Sequence, residues 1–282
     1  MRPETPAGSA PASPATAARR PADVDLFLLD MDGTIYLGDR LFGCTRPFLS
    51  AVRSLGKRHL FLTNNSSKDR TAYVEKLARL GIEAAPDEVF TSGEATTRLL
   101  RERTPGASVA VFGMPTLERE FREAGFRLVE RDPDLVVLGF DQAFDYAKMT
   151  RLCDLVREGR PYVATHPDFN CPVDGGFIPD IGAVIAYVKA STGREPDEIV
   201  GKPHAGIVDA IVAKYGVPRE RLCMVGDRLY TDIALGAEAG IATALVLSGE
   251  TSAADAAASP FRPTWTFDDL SGLRDALLGA AR

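Results

Sequence analysis

The chain has 282 residues, 45% hydrophobic and 26% charged, with a formal net charge of -6. That is apolar material for one large domain or two ordinary ones, and the acidic balance argues against a nucleic-acid backbone as the partner, which needs a basic face. No apolar run reaches membrane-span length, the four cysteines form no C-x-x-C pair, and the start lacks the apolar stretch of a secretory signal, so a cytoplasmic protein without a membrane partner is expected.

Residues 1–22 are rich in Ala and Pro, show no apolar periodicity, and read as a disordered tail. The other reading, an organelle transit peptide, lacks the amphipathic pattern it needs. From Val24 the texture changes. Leu26-Phe27-Leu28-Leu29 is a continuous apolar run ending in Asp30, as in a strand buried on both faces of a parallel sheet. A helix is predicted over 46–55. His59-Leu60-Phe61-Leu62 is a second such strand, ending at Thr63-Asn64-Asn65, and a helix over 69–80 stops at Gly81. The middle, 88–178, repeats the texture with strands at 108–112, 135–140 and 161–164 and helices at 116–124 and 146–158. Helix 181–191, ending near Gly193, then leads back to the first domain, followed by helix 204–215. Leu222-Cys223-Met224-Val225 is a third buried strand, ending at Gly226-Asp227. After it come a small-residue helix (231–239), a strand (242–247), a weak strand near 264–267 and a helix (270–281). The alternation predicts an α/β fold with a parallel sheet and right-handed crossovers. A core of 23–87 and 179–282 is expected to be interrupted by an inserted α/β domain, 88–178, with its own hydrophobic core.

The polar clusters follow predicted strands, and ligands bind at that edge of open α/β sheets. In Asp30-Met31-Asp32-Gly33-Thr34, two carboxylates at i and i+2 can face one pocket, while Gly33 permits a tight turn. One can attack phosphorus and the other can protonate the leaving oxygen and later activate water. The plain alternative is an Asp-Gly turn with a capping Thr. Asp227 would add negative charge that calls for a hard cation such as Mg²⁺. Asp232 can support that site or simply complement a helix N-terminus. Thr63 and Lys202 can hold phosphoryl oxygens and neutralise their charge.

These four clusters, in this order, resemble the motifs of the haloacid dehalogenase superfamily of phosphohydrolases. Ile35-Tyr36-Leu37-Gly38-Asp39, Thr63-Asn64-Asn65-Ser66-Ser67, Gly201-Lys202-Pro203 and Gly226-Asp227-Arg228-Leu229-Tyr230-Thr231-Asp232 resemble its NagD-like or 4-nitrophenylphosphatase branch. The resemblance implies a Rossmann-like core with a large inserted α/β cap. It implies an aspartyl-phosphate on Asp30, with Asp32 as general acid/base and Thr63, Asn64 and Lys202 on the phosphoryl group. Mg²⁺ would sit on Asp30, Asp32 and Asp227, with Asp232 supporting it.

Between Asp32 and Thr63 there is room for only one helix and a strand, so the large insertion falls between Thr63 and Lys202, where a cap sets specificity. Thr165-His166-Pro167-Asp168-Phe169-Asn170 resembles the cap loop of the branch, with His166 in place of Asn. It is expected either to touch the leaving group through His166, Asp168 and Asn170 or to be an ordinary turn. Cys171 is expected as a small packer, and His166 has no partner at zinc-ligand spacing. The expected substrate is a small phosphorylated metabolite, with sugar phosphates, phosphoglycolate, nucleotides and pyridoxal phosphate all open, and a homodimer is one possible assembly. The alternatives are a phosphotransferase and a phosphoacceptor signalling domain. The second predicts neither a cap nor an acid at i+2. A non-catalytic binding protein predicts the loss of a catalytic residue, and none is missing.

Overall fold

The computed structural model describes residues 20–173 and 175–279. Most of the expected tail, 1–19, lies outside the described residues. Its last residues do not fit that expectation, because Pro21–Asp23 forms a 3-10 turn. Arg20 N donates to Asp23 Oδ2 at 3.1 Å, and Lys57 Nζ donates to the carbonyls of Ala22 and Val24 at 2.6 and 2.5 Å.

In chain order the elements are β1 (Leu26–Leu29), β2 (Tyr36–Leu37), β3 (Arg40–Leu41), α1 (Thr45–Ser54), β4 (Arg58–Thr63), α2 (Arg70–Arg79), β5 (Val89–Thr91), α3 (Ser92–Arg103), β6 (Ser108–Phe112), α4 (Pro115–Glu123), β7 (Arg127–Leu128), β8 (Leu135–Leu138) and α5 (Tyr146–Arg157). There follow β9 (Tyr162–Ala164), β10 (Asn170–Val173), β11 (Gly176–Pro179), α6 (Ile181–Thr192), β12 (Glu198–Ile199), α7 (Gly206–Tyr215), β13 (Leu222–Gly226), α8 (Ala234–Ala239), β14 (Ala242–Val246), α9 (Ala253–Ala258), β15 (Trp265–Phe267) and α10 (Leu270–Gly279).

The fold is α/β, as the alternation predicts. One parallel sheet runs β15-β14-β13-β1-β4-β5 and a second runs β12-β9-β8-β6-β7. β1 sits in the middle of the first sheet and all four of its residues are buried, which explains its unbroken apolar run. One face of this sheet packs Phe27, Leu29, Phe61 and Val225 against α1, α2 and α10. The other face, with Leu28, Leu62 and Met224, is continuous with Val109, Val111 and Val137 of the second sheet through Leu99 and Leu100 of α3. The far face of the second sheet has a cluster of its own, built on Val136, Leu138, Leu152 and Val156.

The sheets move both expected boundaries. β5 pairs with β4, Thr63 opposite Thr91, so Val89–Thr91 belongs to the first sheet rather than to the insertion beginning at 88. β12 pairs with β9, and α6 packs Ile181 and Val188 on the second sheet's own cluster, so the insertion does not end at 178. Strands of three and two residues are too short to show a periodicity, which is why these edges were not legible. The expected helix over 231–239 is a wide π turn, Leu229–Ile233, followed by α8. The segment between Asp32 and Thr63 also holds the small β2–β3 hairpin. Among the described residues, no helix is long and apolar enough to cross a membrane.

Candidate active site

Leu29 pairs with Val225 on one side and Phe61 on the other, and Asp30 N donates to Val225 O at 2.9 Å. Asp30 and Asp227 are the next residues out of β1 and β13, and Thr63 is the last residue of the adjacent β4, so the sheet brings the clusters together. Asp30, Asp32, Thr63, Asn64 and Lys202 line one cleft.

Lys202 is almost fully buried. Its Nζ donates to Asp30 Oδ1 at 2.6 Å and to Asp232 Oδ1 at 2.7 Å. Burial alone would lower its pKa, but the charges of Asp232 and Asp30 outweigh it and raise the ammonium above its ordinary value. Asp232 is fully buried and its other oxygen accepts from Arg228 N at 3.1 Å. The structure therefore gives Asp232 the work of holding Lys202 and the turn after Asp227. Asn64 does similar work. Its Oδ1 accepts from Lys202 N, and its Nδ2 donates to Lys202 O at 2.8 Å and to the Asp168 carboxylate at 3.2 Å. Both amide hydrogens are thus engaged, so the side chain is placed to hold Lys202 rather than to grip phosphate.

Asp227 is buried beside the mouth of the turn. Its Oδ1 lies 3.3 Å from Thr34 Oγ1 and its Oδ2 accepts from Glu250 N at 2.7 Å. Burial, then the negative charges of Asp30 and Asp232, push its pKa upward. Gly33, at φ +85°, and Gly249 press against this carboxylate so closely that a Cβ at either would overlap it. The group is thus cradled, yet short of positive charge. Asp30, Asp227 and Asp232 bring carboxylate oxygens within 4.8 Å of one another, and the two atoms of Asp232 are already committed. Asp30 and Asp227, hard oxygen donors without enough countercharge, fit a divalent cation. Asp32 keeps 45% of its side-chain surface exposed. The cleft walls still withdraw enough water to raise its carboxyl above its ordinary value, against the opposing charge of Lys76.

The cap residues separate. Asp168 and Asn170 line the cleft, whereas His166 is fully buried and does not. His166 Nε2 lies 3.0 Å from Asp180 Oδ1, and its Nδ1 lies 3.1 Å from Thr165 Oγ1 and 3.5 Å from Ser92 Oγ. The expectation that His166 touches the substrate is therefore replaced by a junction that braces the loop from behind. His166, Asp168 and Asp180 also cluster within 4.8 Å, but the imidazole and Asp180 satisfy one another and Asp168 accepts from Asn64. Cys171 is half-buried on the cleft, and burial pushes its thiol up to about 11, which suits a packer and not a nucleophile.

Sequence reasoning missed several residues on the cleft. Tyr73 reaches it from α2, Asp180 from the N-cap of α6, and Arg228 from the turn after Asp227. Arg228 was visible as the residue following the strand-end Asp. Tyr73 and Asp180 carried no signal beyond their place in helix patterns.

Comparison with known proteins identifies the family. Residues 27–127 match the model of a haloacid dehalogenase-like hydrolase family, and 199–273 match a second model of hydrolases like it. The chain belongs to the haloacid dehalogenase-like hydrolases. It is 44% identical to a 4-nitrophenylphosphatase from Thermotoga maritima, with a TM-score of 0.88 over 91% of this chain and 98% of that one. It is 32% identical to a glycerol phosphate phosphatase from Mycobacterium tuberculosis in complex with magnesium, with a TM-score of 0.84 over 92% of this chain and 79% of that one. An acid sugar phosphatase of Staphylococcus aureus is 35% identical over 247 residues, 87% of this chain and 95% of that protein. This places the chain in the NagD-like, 4-nitrophenylphosphatase branch of the family.

Proposed function

We propose that this hydrolase of phosphoric monoester bonds is Mg²⁺-dependent, acts on small sugar- or polyol-type phosphates, and passes through an aspartyl-phosphate on Asp30. The observation that carries the reading is Asp30 itself, a strand-end carboxylate pinned through one oxygen by buried Lys202, with Asp32 two residues further on in the same cleft. Pinning Oδ1 fixes the carboxylate plane and orients Asp30 for in-line attack on phosphorus. As the Asp30–phosphorus bond forms, the ester oxygen leaves and takes a proton from Asp32. In the second step Asp32, exposed at the cleft mouth, removes a proton from water, which attacks the phosphorus and frees Asp30. Lys202 and the backbone at Thr63 balance the charge on the phosphoryl oxygens. Asp30, Asp227 and the Asp32 carbonyl would hold Mg²⁺, which when bound neutralises phosphoryl charge as a Lewis acid.

Two of the relatives, an acid sugar phosphatase and a glycerol phosphate phosphatase, favour a hydroxylated leaving group. Asp168 and Asn170 on the cap wall can accept from and donate to hydroxyls. A reducing, cytoplasmic setting suits a chain of this length with four cysteines and no C-x-x-C pair.

Phosphate release over a panel of small phosphate esters tests the reading. Turnover should require Mg²⁺, vanish with EDTA, and fall by at least about a thousandfold in Asp30→Asn with the fold retained. Activity in that variant, or full activity without metal, would remove the mechanism.

A further inference from the structure

Lys76 lies on α2, outside the cleft lining and outside the four motifs. Its Nζ sits 3.9 Å from the centre of the Tyr36 ring and 4.0 Å from Asp32 Oδ1. Among the described residues no other carboxylate comes within 4.0 Å of it. Its side chain is only 21% exposed, so the ammonium is not a solvated surface charge that happens to pass by.

Tyr36 is the floor of this arrangement. It is fully buried, and its carbonyl accepts from Gly33 N at 2.8 Å, which ties it to the turn carrying Asp32. Asp32 and Tyr36 are also bridged through their backbones. The ring face attracts the cation from one side and the carboxylate attracts it from the other. The ammonium is thus wedged between a buried aromatic face and the one side chain on this turn that remains half-exposed.

We infer that Lys76 is a positioning residue that holds the Asp32 carboxyl toward the leaving oxygen of the bound ester. The inference rests on the reading of Asp32 as proton donor. Lys76 does not touch the substrate; it restricts where Asp32 can point. A carboxyl free to swing into solvent delivers its proton less often, and the cost falls on esters whose leaving alcohol needs that proton. Nitrophenolate leaves without one.

The experiment compares kcat/KM on 4-nitrophenyl phosphate with kcat/KM on an alkyl phosphate that the wild type turns over, using the Mg²⁺-loaded enzyme; this ratio reports only the steps through departure of the leaving group and leaves out the water step in which Asp32 acts on both esters alike. Lys76→Met should lose roughly tenfold in kcat/KM on the alkyl ester and less than about twofold on the nitrophenyl ester. Lys76→Arg should recover most of the loss. Asp32→Asn, run in parallel, should show the same selectivity more strongly, by roughly a hundredfold or more. If Asp32→Asn is selective but Lys76→Met loses both esters equally, or neither, the positioning role is overturned while the mechanism stands. If Asp32→Asn shows no leaving-group selectivity, the proton-donor reading fails and the inference falls with it. Thermal midpoints of both Lys76 variants, expected to match the wild type, separate the effect from misfolding.

Discussion

The floor and the cap wall of the cleft are built by opposite means. The floor is a knot of buried charge: Lys202 between Asp30 and Asp232, and Asp227 behind them. The wall is a web of mostly neutral hydrogen bonds. Ser66 Oγ lies 2.9 Å from Thr165 Oγ1 and accepts from Phe140 N, Ser92 Oγ donates to Asn64 O, and His166 joins Thr165 to Asp180. Beyond that web the wall becomes apolar and open, with Phe169 and Phe177 exposed. The difference separates two tasks. Chemistry on a phosphoryl group needs charge that cannot move, whereas discrimination among leaving groups needs a shape that can vary without disturbing the charge.

The largest effect should come from opening the floor. Lys202→Met leaves Asp232 buried without its cation, which costs about 3–5 kcal/mol when one partner of a buried pair is removed. Activity should fall with it, since the same ammonium pins Asp30. Adding Asp232→Asn should return much of the stability, because two neutral groups replace an orphaned charge, but none of the activity. Urea unfolding and phosphate release on the two variants check both halves. If the double variant regains turnover, Lys202 serves the fold and not the chemistry.

The wall should respond more weakly and in two separable ways. His166→Asn breaks the brace and should cost about 1–3 kcal/mol of stability, the penalty for leaving buried polar partners unpaired, with little change in nitrophenyl phosphate turnover. Asp168→Asn keeps the brace and should raise KM for hydroxylated esters by roughly tenfold, the worth of one good hydrogen bond. Equal changes on all esters in both variants would erase the distinction between brace and contact.

The carboxylates Asp30 and Asp227 of the floor were legible in the sequence because each follows a buried strand, and such strands announce themselves as unbroken apolar runs, whereas Lys202 and Asp232 were legible only through the motif resemblance. The register of β1 with its neighbours then makes convergence unavoidable. The wall was half legible. Its loop stood out by composition, but which side chain faces the cleft depends on how the chain enters α6, where Gly182 N donates to Asp168 O and Asp180 N donates to Phe169 O. Nothing in a local pattern reveals that His166 turns inward to Asp180, fourteen residues later. The boundaries at 88 and 178 failed for a related reason: strands of two or three residues join a sheet through partners distant in sequence.

A third kind of contact lies outside the cleft, and it offers the finest test. At the seam of α2, α3 and α4 a cavity of about 440 Å³ is lined by ion pairs, Glu94 with Arg98 and Asp69 with Arg119, and by Glu120. Among the described residues the Glu120 carboxyl has neither a cation within 4.0 Å nor a hydrogen bond, while the backbone carbonyl of Glu120 accepts from Ala124 N. Burial, then the charges of Glu94 and Asp69, push its carboxyl up to about 8 from an ordinary 4.5, with Arg70 opposing. A folded-state value raised this way means the native chain holds the proton more tightly than the unfolded chain. The favourable contribution is complete below about 4.5 and is lost as pH rises toward about 8. The wild type should therefore lose stability across that window more steeply than Glu120→Gln, whose neutral amide has no proton to give up. Urea midpoints measured at intervals from pH 5 to pH 8 read this directly. Parallel slopes would mean that Glu120 finds countercharge, and the seam would then be held as the floor is, by paired charge.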